Sequence, residues 1–239
     1  MADRYFSSQK IEFSENDTPE FVLDGEEAHH LLRVMRAKSG DLLTLFDGSG
    51  AEFDAVVAET GKKTVGLRIL ARRWEDREPA AEITLAVALP KGERQRWLIE
   101  KAVELGVACF VPLLAERSVA KVGESSDRLH RMVIEAAKQC GRNTLMKISP
   151  QMTTREIFCA PADSEAIRIF AHPGGEPIYD VLTRIHGRKI PIFAAVGPEG
   201  GFSENEISAA QAGGWQTVSL GKSILRTETA AIKIAAIFG

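Results

Sequence analysis

The sequence predicts an α/β protein in which a small N-terminal β-barrel precedes a parallel sheet covered by helices. Three patterns carry this reading. Short β-prone runs crowd the first 74 residues; apolar strands alternate with amphipathic helices beyond residue 80; and two glycine-framed segments near the C-terminus each stand between a strand-like and a helix-like run. With 239 residues, 44% hydrophobic and 26% charged, the chain can bury a substantial core in one large or two smaller domains.

In the N-terminal part, 20–24, 41–47, 51–59 and 64–74 read as strands. They are separated by the turn signals Lys38-Ser-Gly-Asp41, Asp47-Gly-Ser-Gly50 and Thr60-Gly-Lys-Lys63. One helix interrupts them, spanning 26–37, with Ala28, Leu31, Leu32 and Met35 on its apolar face. Strands with tight turns and one helix suggest the barrel. The charged, proline-ended stretch Glu75-Asp-Arg-Glu-Pro79 then marks a boundary, giving domains 1–74 and 75–239.

Beyond it the pattern changes. Ile83 to Leu89 is a continuous apolar strand, and 92–106 a helix with Leu98, Ala102 and Leu105 as its stripe. Strand 109–114 and helix 126–141 follow, the latter striped by Leu129, Val133, Ala136 and Cys140. The alternation continues through 167–171, 178–185, 191–196, 204–212, 217–220 and 224–238. Strands apolar on both faces between helices predict a parallel sheet covered on both sides.

Composition excludes some classes. No apolar run approaches a membrane span, and Met1 to Phe6 leads into polar sequence rather than a secretory core, so cytoplasmic residence is expected. Cys109, Cys140 and Cys159 are widely spaced and odd in number, which predicts reduced, buried thiols. His29, His30, His130, His172 and His186 form no ligand motif, so no metal site is expected. A net charge of −3 leaves nucleic acid open as a partner, because recognition rests on local patches.

The glycine-framed segments are Val196-Gly-Pro-Glu-Gly-Gly-Phe202 and Leu220-Gly-Lys-Ser-Ile-Leu-Arg-Thr-Glu-Thr-Ala230. Strand, glycine loop and helix in succession build ligand sites at the carboxyl ends of parallel strands. Neither segment is a dinucleotide fingerprint, and Gly221-Lys-Ser223 lacks the upstream glycine of a phosphate loop, since Gln216 stands there. Gly197, Gly200 and Gly201 allow close backbone approach, Pro198 stiffens the turn, and Ser203 with Glu206 forms a capping box. Glu199 and Glu228 are also compatible with a solvated loop residue and a helix-start acid favoured by the dipole.

These two segments resemble the second and third motifs of the SPOUT class of S-adenosylmethionine-dependent RNA methyltransferases, and most of all its RsmE type. The likeness extends to Arg4-Tyr-Phe6, His30 to Arg36, Lys91 to Arg94, Glu100 to Gly106, Glu116-Arg-Ser118 and Ala136 to Arg142, and so covers essentially the whole chain. It implies a deep trefoil knot in the C-terminal sheet, a PUA-like N-terminal barrel, a homodimer, and ribosomal RNA or the small ribosomal subunit as partner. The implied reaction is methyl transfer from S-adenosyl-L-methionine to N3 of a uridine in 16S ribosomal RNA. The cofactor motifs do not name the acceptor atom, so another base or a ribose 2′-hydroxyl stays open, as does a non-catalytic RNA-binding or assembly role.

Under this resemblance the cofactor-binding candidates are Val196, Gly197, Pro198, Glu199, Gly200, Gly201, Leu220, Gly221, Ser223, Ile224, Leu225 and Thr229. His172, in Ala171-His-Pro-Gly-Gly-Glu176, joins them although it departs from the family pattern. Arg226 is the catalytic candidate for holding the uracil carbonyls, and Glu199 for taking the proton or orienting the cofactor. Arg4, Arg33, Arg36, Lys38, Lys91, Arg94, Lys138 and Arg142 are the RNA-binding candidates, with Arg33 and Arg36 on one helical face. Trp97 shares a face with Arg94 and Lys101, and is read as covering the sheet in preference to stacking on a base.

Overall fold

The computed structural model describes residues 3–14, 18–118, 126–160, 165–185 and 190–239; His186 lies outside them. It divides into two compact units, Met1–Glu78 with Ala137–Leu145, and Pro79–Ala136 with Met146–Gly239. The sequence division at 74/75 assigned 75–78 and 137–145 differently. Polar contacts explain the change: Arg77 donates to the Gly141 carbonyl (2.7 Å) and to Glu52 (3.2 Å), and Arg142 grips Glu78.

The first unit is a five-stranded half-barrel built from β1 (Arg4–Phe6), β2 (Glu20–Leu23), β3 (Leu42–Phe46), β4 (Ala51–Thr60) and β5 (Val65–Trp74), in the order β1-β3-β4-β5-β2. β1 runs parallel to β3 and the other pairs are antiparallel. Alternation along β5 sends Val65, Leu67 and Ile69 inward, where they meet Tyr5, Leu45, Phe53 and Val57. Helix α1 (Gly25–Arg33) adds Ala28 and Leu31 to that core.

α1 is shorter than its periodicity predicts. Arg36 adopts φ 54°, and the Ala37 amide donates back to the Leu31 carbonyl, closing the helix through a left-handed residue. Arg36 therefore leaves the face shared with Arg33, and Met35 stays exposed. The usual sequence stop at such a position is glycine, and an arginine gives no warning.

Inside this unit Glu52 is buried and gathers Arg4 (2.7 Å), Arg73 (3.2 Å) and Arg77 (3.2 Å). Burial by itself would raise its carboxyl, but the hydrogen bonds from Arg4 and Arg77 outweigh this and hold it below the ordinary range.

The second unit is a seven-stranded parallel sheet. Its strands are β6 (Ile83–Val87), β7 (Cys109–Leu114), β8 (Lys147–Ile148), β9 (Met152–Thr153), β10 (Ile167–Pro177), β11 (Ile192–Val196) and β12 (Gln216–Ser219). The order is β12-β10-β11-β6-β7-β8, with β9 also on β7. Helices α2 (Glu93–Glu104), α3 (Ser126–Cys140), α4 (Thr154–Phe158), α5 (Ile178–Ile185), α6 (Glu204–Ala212) and α7 (Thr227–Phe238) alternate with the strands. Phe158, Phe170, Phe202 and Trp215 form an edge-to-face cluster on one side of the sheet, with Phe158 to Trp215 at 5.2 Å between centroids. On α7, Ala230, Ala231, Ile234 and Ala235 are buried. The small side chains let this helix lie close to β6, β11 and α2.

β1, β8, β9 and α4 are too short to show a period. β10 continues past the predicted end at Ala171: the chain bulges out and returns, so that Ala171 and Glu176 both face Val218. Gly175 makes the return possible, since a Cβ there would lie 2.5 Å from the Thr217 and Val218 backbone. The cysteines depart from the expected burial. Cys159 is exposed just past α4, while Cys109 and Cys140 are half-buried and burial pushes the Cys109 thiol up. Among the described residues no helix is long and apolar enough to cross a membrane, and no cluster of His, Cys, Asp and Glu could hold a metal ion.

Glu52→Gln should destabilise the protein by about 3 kcal/mol, near the low end for breaking a buried pair because two of its partners are half-exposed. Urea denaturation at neutral pH measures this. Since the folded-state pKa is depressed, the difference from wild type should be present above the ordinary value of 4.5 and vanish as pH falls through the folded one.

Candidate active site

The order β12-β10-β11 brings the carboxyl ends of three parallel strands together, and each feeds a loop: 197–203 after β11, 220–226 after β12, and the bulge 172–176 within β10. They surround a cavity of about 800 Å³. The sequence pictured two loops side by side. The strand order instead places β10 between them, and its bulge becomes a third wall.

Each loop is anchored through its main chain. The Ala88 amide donates to the Val196 carbonyl (3.0 Å), the Gly201 amide to the Pro198 carbonyl (2.8 Å), and Arg117 to the Gly200 carbonyl (2.9 Å). Gly201 sits at φ 68°, which a side chain would oppose. The capping box at Ser203 and Glu206 forms as the spacing predicts. The Glu206 carboxylate also accepts from the Glu116 amide (2.9 Å) and the Thr154 hydroxyl (2.7 Å). Burial alone would raise this carboxyl; the Ser203 and Glu116 amides and the Thr154 hydroxyl together hold it below the ordinary range. In the second loop Lys233 donates to the Leu220 carbonyl (2.6 Å) and lies 6.0 Å from the Tyr179 ring. Thr227 Oγ1 donates to the Gly197 carbonyl (3.1 Å), joining the first loop to the start of α7.

Of the cofactor candidates, His172, Val196, Gly197, Pro198, Glu199, Gly200, Gly201, Leu220, Gly221, Ser223, Ile224 and Leu225 line this cavity. Thr229 does not. It lines a second cavity of about 600 Å³ with Glu93, Arg94, Trp97, Arg226 and Glu228, and Ile224 and Leu225 border both. The position of Thr229 inside α7 turns it towards α2. Arg117, Tyr179, Phe202, Thr227 and Lys233 also line the large cavity without having been named as cofactor candidates; Phe202 and Thr227 lie in the two motifs and Arg117 in the Glu116-Arg-Ser118 likeness, whereas no local signal marks Tyr179 and Lys233. His172 Nδ1 accepts from the Gly174 amide (3.2 Å) and so shapes its own turn.

The two catalytic candidates stand on different cavities. Glu199 is half-exposed on the larger one and pairs with Arg94 (3.3 Å); Arg226 is exposed on the smaller one, with no ion-pair partner among the described residues. Trp97 is 42% exposed and opens onto the smaller cavity, so it does not cover the sheet as expected. Glu228 stands in the first turn of α7, as the helix-start alternative has it, but is only 6% exposed.

Three RNA-binding candidates are occupied inside the first unit. Arg4 pairs with Glu52 and donates to Asn143 (2.7 Å), Lys138 pairs with Glu27 (2.8 Å), and Arg142 is buried against Glu78 (2.5 Å). Their charges neutralise internal carboxylates, which corrects the reading of them as phosphate contacts. Arg33, Arg36, Lys38 and Lys91 are exposed. Arg94 is half-exposed but bridges Glu199 and Glu228, so it belongs to the site.

Comparison with known proteins agrees with this architecture. The RNA methyltransferase domain profile matches residues 76–239, and the RNA methyltransferase PUA domain profile matches residues 23–70. The ribosomal RNA small subunit methyltransferase E of Synechocystis is 35% identical over 87% of this chain and 69% of its own length. That of Bacillus subtilis is 29% identical over 95% and 92%. A methyltransferase from Legionella pneumophila, solved with bound cofactor SAM, superposes with TM-score 0.88 at 31% identity over 100% of this chain and 97% of that one. The ribosomal RNA small subunit methyltransferase E of Neisseria gonorrhoeae, bound to S-adenosyl methionine, gives TM-score 0.88 at 30% identity over 99% and 96%. The chain belongs to the RNA methyltransferase family, within its ribosomal RNA small subunit methyltransferase E group.

Glu206→Ala strips acceptors from three donors and should cost about 1–3 kcal/mol. A thermal melt at pH 7 should show a fall of several degrees, at about 2–4 °C per kcal/mol for a chain of this size. The depressed carboxyl places that contribution above the ordinary value of 4.5, and it should be lost as pH drops through the folded one.

Proposed function

We propose that this protein transfers a methyl group from S-adenosyl-L-methionine to N3 of a uridine in the 16S RNA of the small ribosomal subunit. The observation that carries the proposal is the pair of adjoining cavities at the carboxyl ends of the parallel strands. The larger is framed by the glycine loops, and the smaller holds the exposed Arg226.

The larger cavity fits the cofactor in size and chemistry. Its volume falls within the range of about 300–1,000 Å³ of small-molecule sites. Main chain at 197–201 and 220–225, with Pro198, Ile207 and Leu225, provides the narrow, largely apolar surroundings that an adenosine requires. Glu199 and Glu204 on one hand, Arg117, Lys222 and Lys233 on the other, offer partners of both signs for the ammonium and carboxylate of a methionine moiety. When bound, the cofactor supplies an activated sulfonium methyl. The protein then has to align the acceptor, exclude water and assist loss of the N3 proton.

Arg226 meets the second requirement of the site. Its guanidinium opens onto the smaller cavity, where it can hold a uracil carbonyl oxygen and stabilise negative charge developing on the ring. The exposed Arg33, Arg36, Lys38 and Lys91 are proposed to contact phosphates. The family resemblance further implies the trefoil knot, a homodimer whose second subunit completes the RNA site, RNA binding by the N-terminal unit and catalysis by the C-terminal one, and work in the cytoplasm.

Arg226→Ala should leave the heat of S-adenosylhomocysteine binding unchanged while lowering the methylation rate on unmodified small subunits by on the order of 10²–10³-fold. Mass spectrometry of nucleosides from the product RNA reads both the rate and the methylated atom. Methyl on a ribose or on another base would overturn the uridine-N3 reading, and full activity of the variant would remove Arg226 from the chemistry.

A further inference from the structure

The smaller cavity contains a buried carboxylate with an acceptor oxygen unpaired among the described residues. Glu228, in the first turn of α7, is 6% exposed and lines that cavity with Arg94, Trp97 and Arg226. Its Oε1 lies 3.8 Å from Arg94 Nη1, whereas Oε2 is buried with no hydrogen-bond partner among the described residues. A buried carboxylate oxygen without a donor is costly, and one that lines a cavity is placed to accept from a group entering that cavity.

The surrounding groups define that donor. A carboxylate set near two guanidiniums, Arg94 and Arg226, presents an acceptor together with donors. The matching edge has a single N–H between two carbonyl oxygens. Uracil has this edge, with N3–H between O2 and O4. Cytosine does not: its N3 is an acceptor and would face the carboxylate lone pairs. The half-exposed Trp97 ring offers a flat surface for the base.

Resting on the methyl-transfer reading above, we propose that Glu228, rather than Glu199, reads uridine and takes its N3 proton. The N3–H bond breaks towards the Glu228 carboxylate. The electron pair left on N3 forms the bond to the methyl carbon, while the carbon–sulfur bond breaks and its pair stays on sulfur, giving neutral S-adenosylhomocysteine and a protonated Glu228. Glu199 is half-exposed and lines only the larger cavity. The charged groups around Glu228 are Glu93 and Arg94 on α2, Glu199 across Arg94 from the loop after β11, and Arg226 at the start of its own helix; β6 and β11, which also pack on α7, carry no titratable side chain.

The test uses the full-length protein, unmodified small subunits and single-turnover kinetics. Glu228→Gln should bind S-adenosylhomocysteine with wild-type heat yet methylate slower on the order of 10²–10⁴-fold at pH 7. Its residual rate should rise in proportion to hydroxide, where the wild-type profile is flatter. RNA carrying 5-fluorouridine at the target, whose N3 proton is more acidic, should restore the variant far more than it accelerates wild type. Glu228→Asp keeps a charge at the helix start and should fold, be slower, and be helped by 5-fluorouridine. A wild-type rate in either variant, or slow variants whose pH profile and fluorouridine response match wild type, would overturn the assignment. Wild-type protein that binds no S-adenosylhomocysteine, or methylates another atom, would instead overturn the methyl-transfer reading on which it rests.

Discussion

The hydrogen bond from Thr227 Oγ1 to the Gly197 carbonyl ties the site together. Gly197 opens the loop after β11, and a carbonyl buried at such a turn has no ladder partner. Thr227 opens α7, the helix packed beneath the same loop on β6 and β11. One contact thus satisfies the carbonyl and fixes the first loop against the end of the second. It also sets what the neighbours of Thr227 can reach. Thr227 lines the larger cavity, while Arg226 and Glu228 on either side of it line the smaller one. Three consecutive residues at a helix start serve two cavities because the backbone there is pinned.

The sheet order makes this arrangement possible. Loops 197–203 and 220–226 flank the end of β10, whose bulge returns to β12 only because Gly175 has no side chain. Behind them, the Phe158, Phe202 and Trp215 rings and the buried Glu206 carboxylate hold the first loop from below. The glycine loops supply main chain to the ligand-facing surface, and their rigidity comes partly from side chains that also line the cavity (Arg117, Phe202, Thr227 and Lys233) and partly from Phe158, Trp215 and Glu206 behind it. Site and scaffold are therefore not separable in energy.

The sequence exposed what depends on local chemistry. Gly197 to Gly201, the Ser203–Glu206 capping box and the alternation of apolar strands with helices are statements about neighbours in the chain, and most cofactor candidates fall around one cavity as a result. What depends on distant partners was hidden. Arg142 reads as a surface arginine until Glu78, 64 residues away, accepts from it. Arg4 likewise meets Glu52 at a separation of 48 residues. Arg36 ends α1 in a conformation that glycine would have advertised. Glu228 follows the rule for helix-start acids, and its burial comes from α2, which no spacing within its own motif encodes.

These corrections change the electrostatics of the proposed function. With Arg4, Lys138 and Arg142 neutralised internally, the exposed cations available to phosphates are fewer than the candidate list suggests. On the proposed function, each cation withdrawn from phosphate contact lowers the affinity that is independent of sequence. On the proposed reading, selection then falls more heavily on the smaller cavity, where Arg94, Arg226 and Glu228 would meet a base with donors and an acceptor in a partly desolvated space. There a mismatched edge leaves buried groups unpaired, and that penalty discriminates far better than charge does.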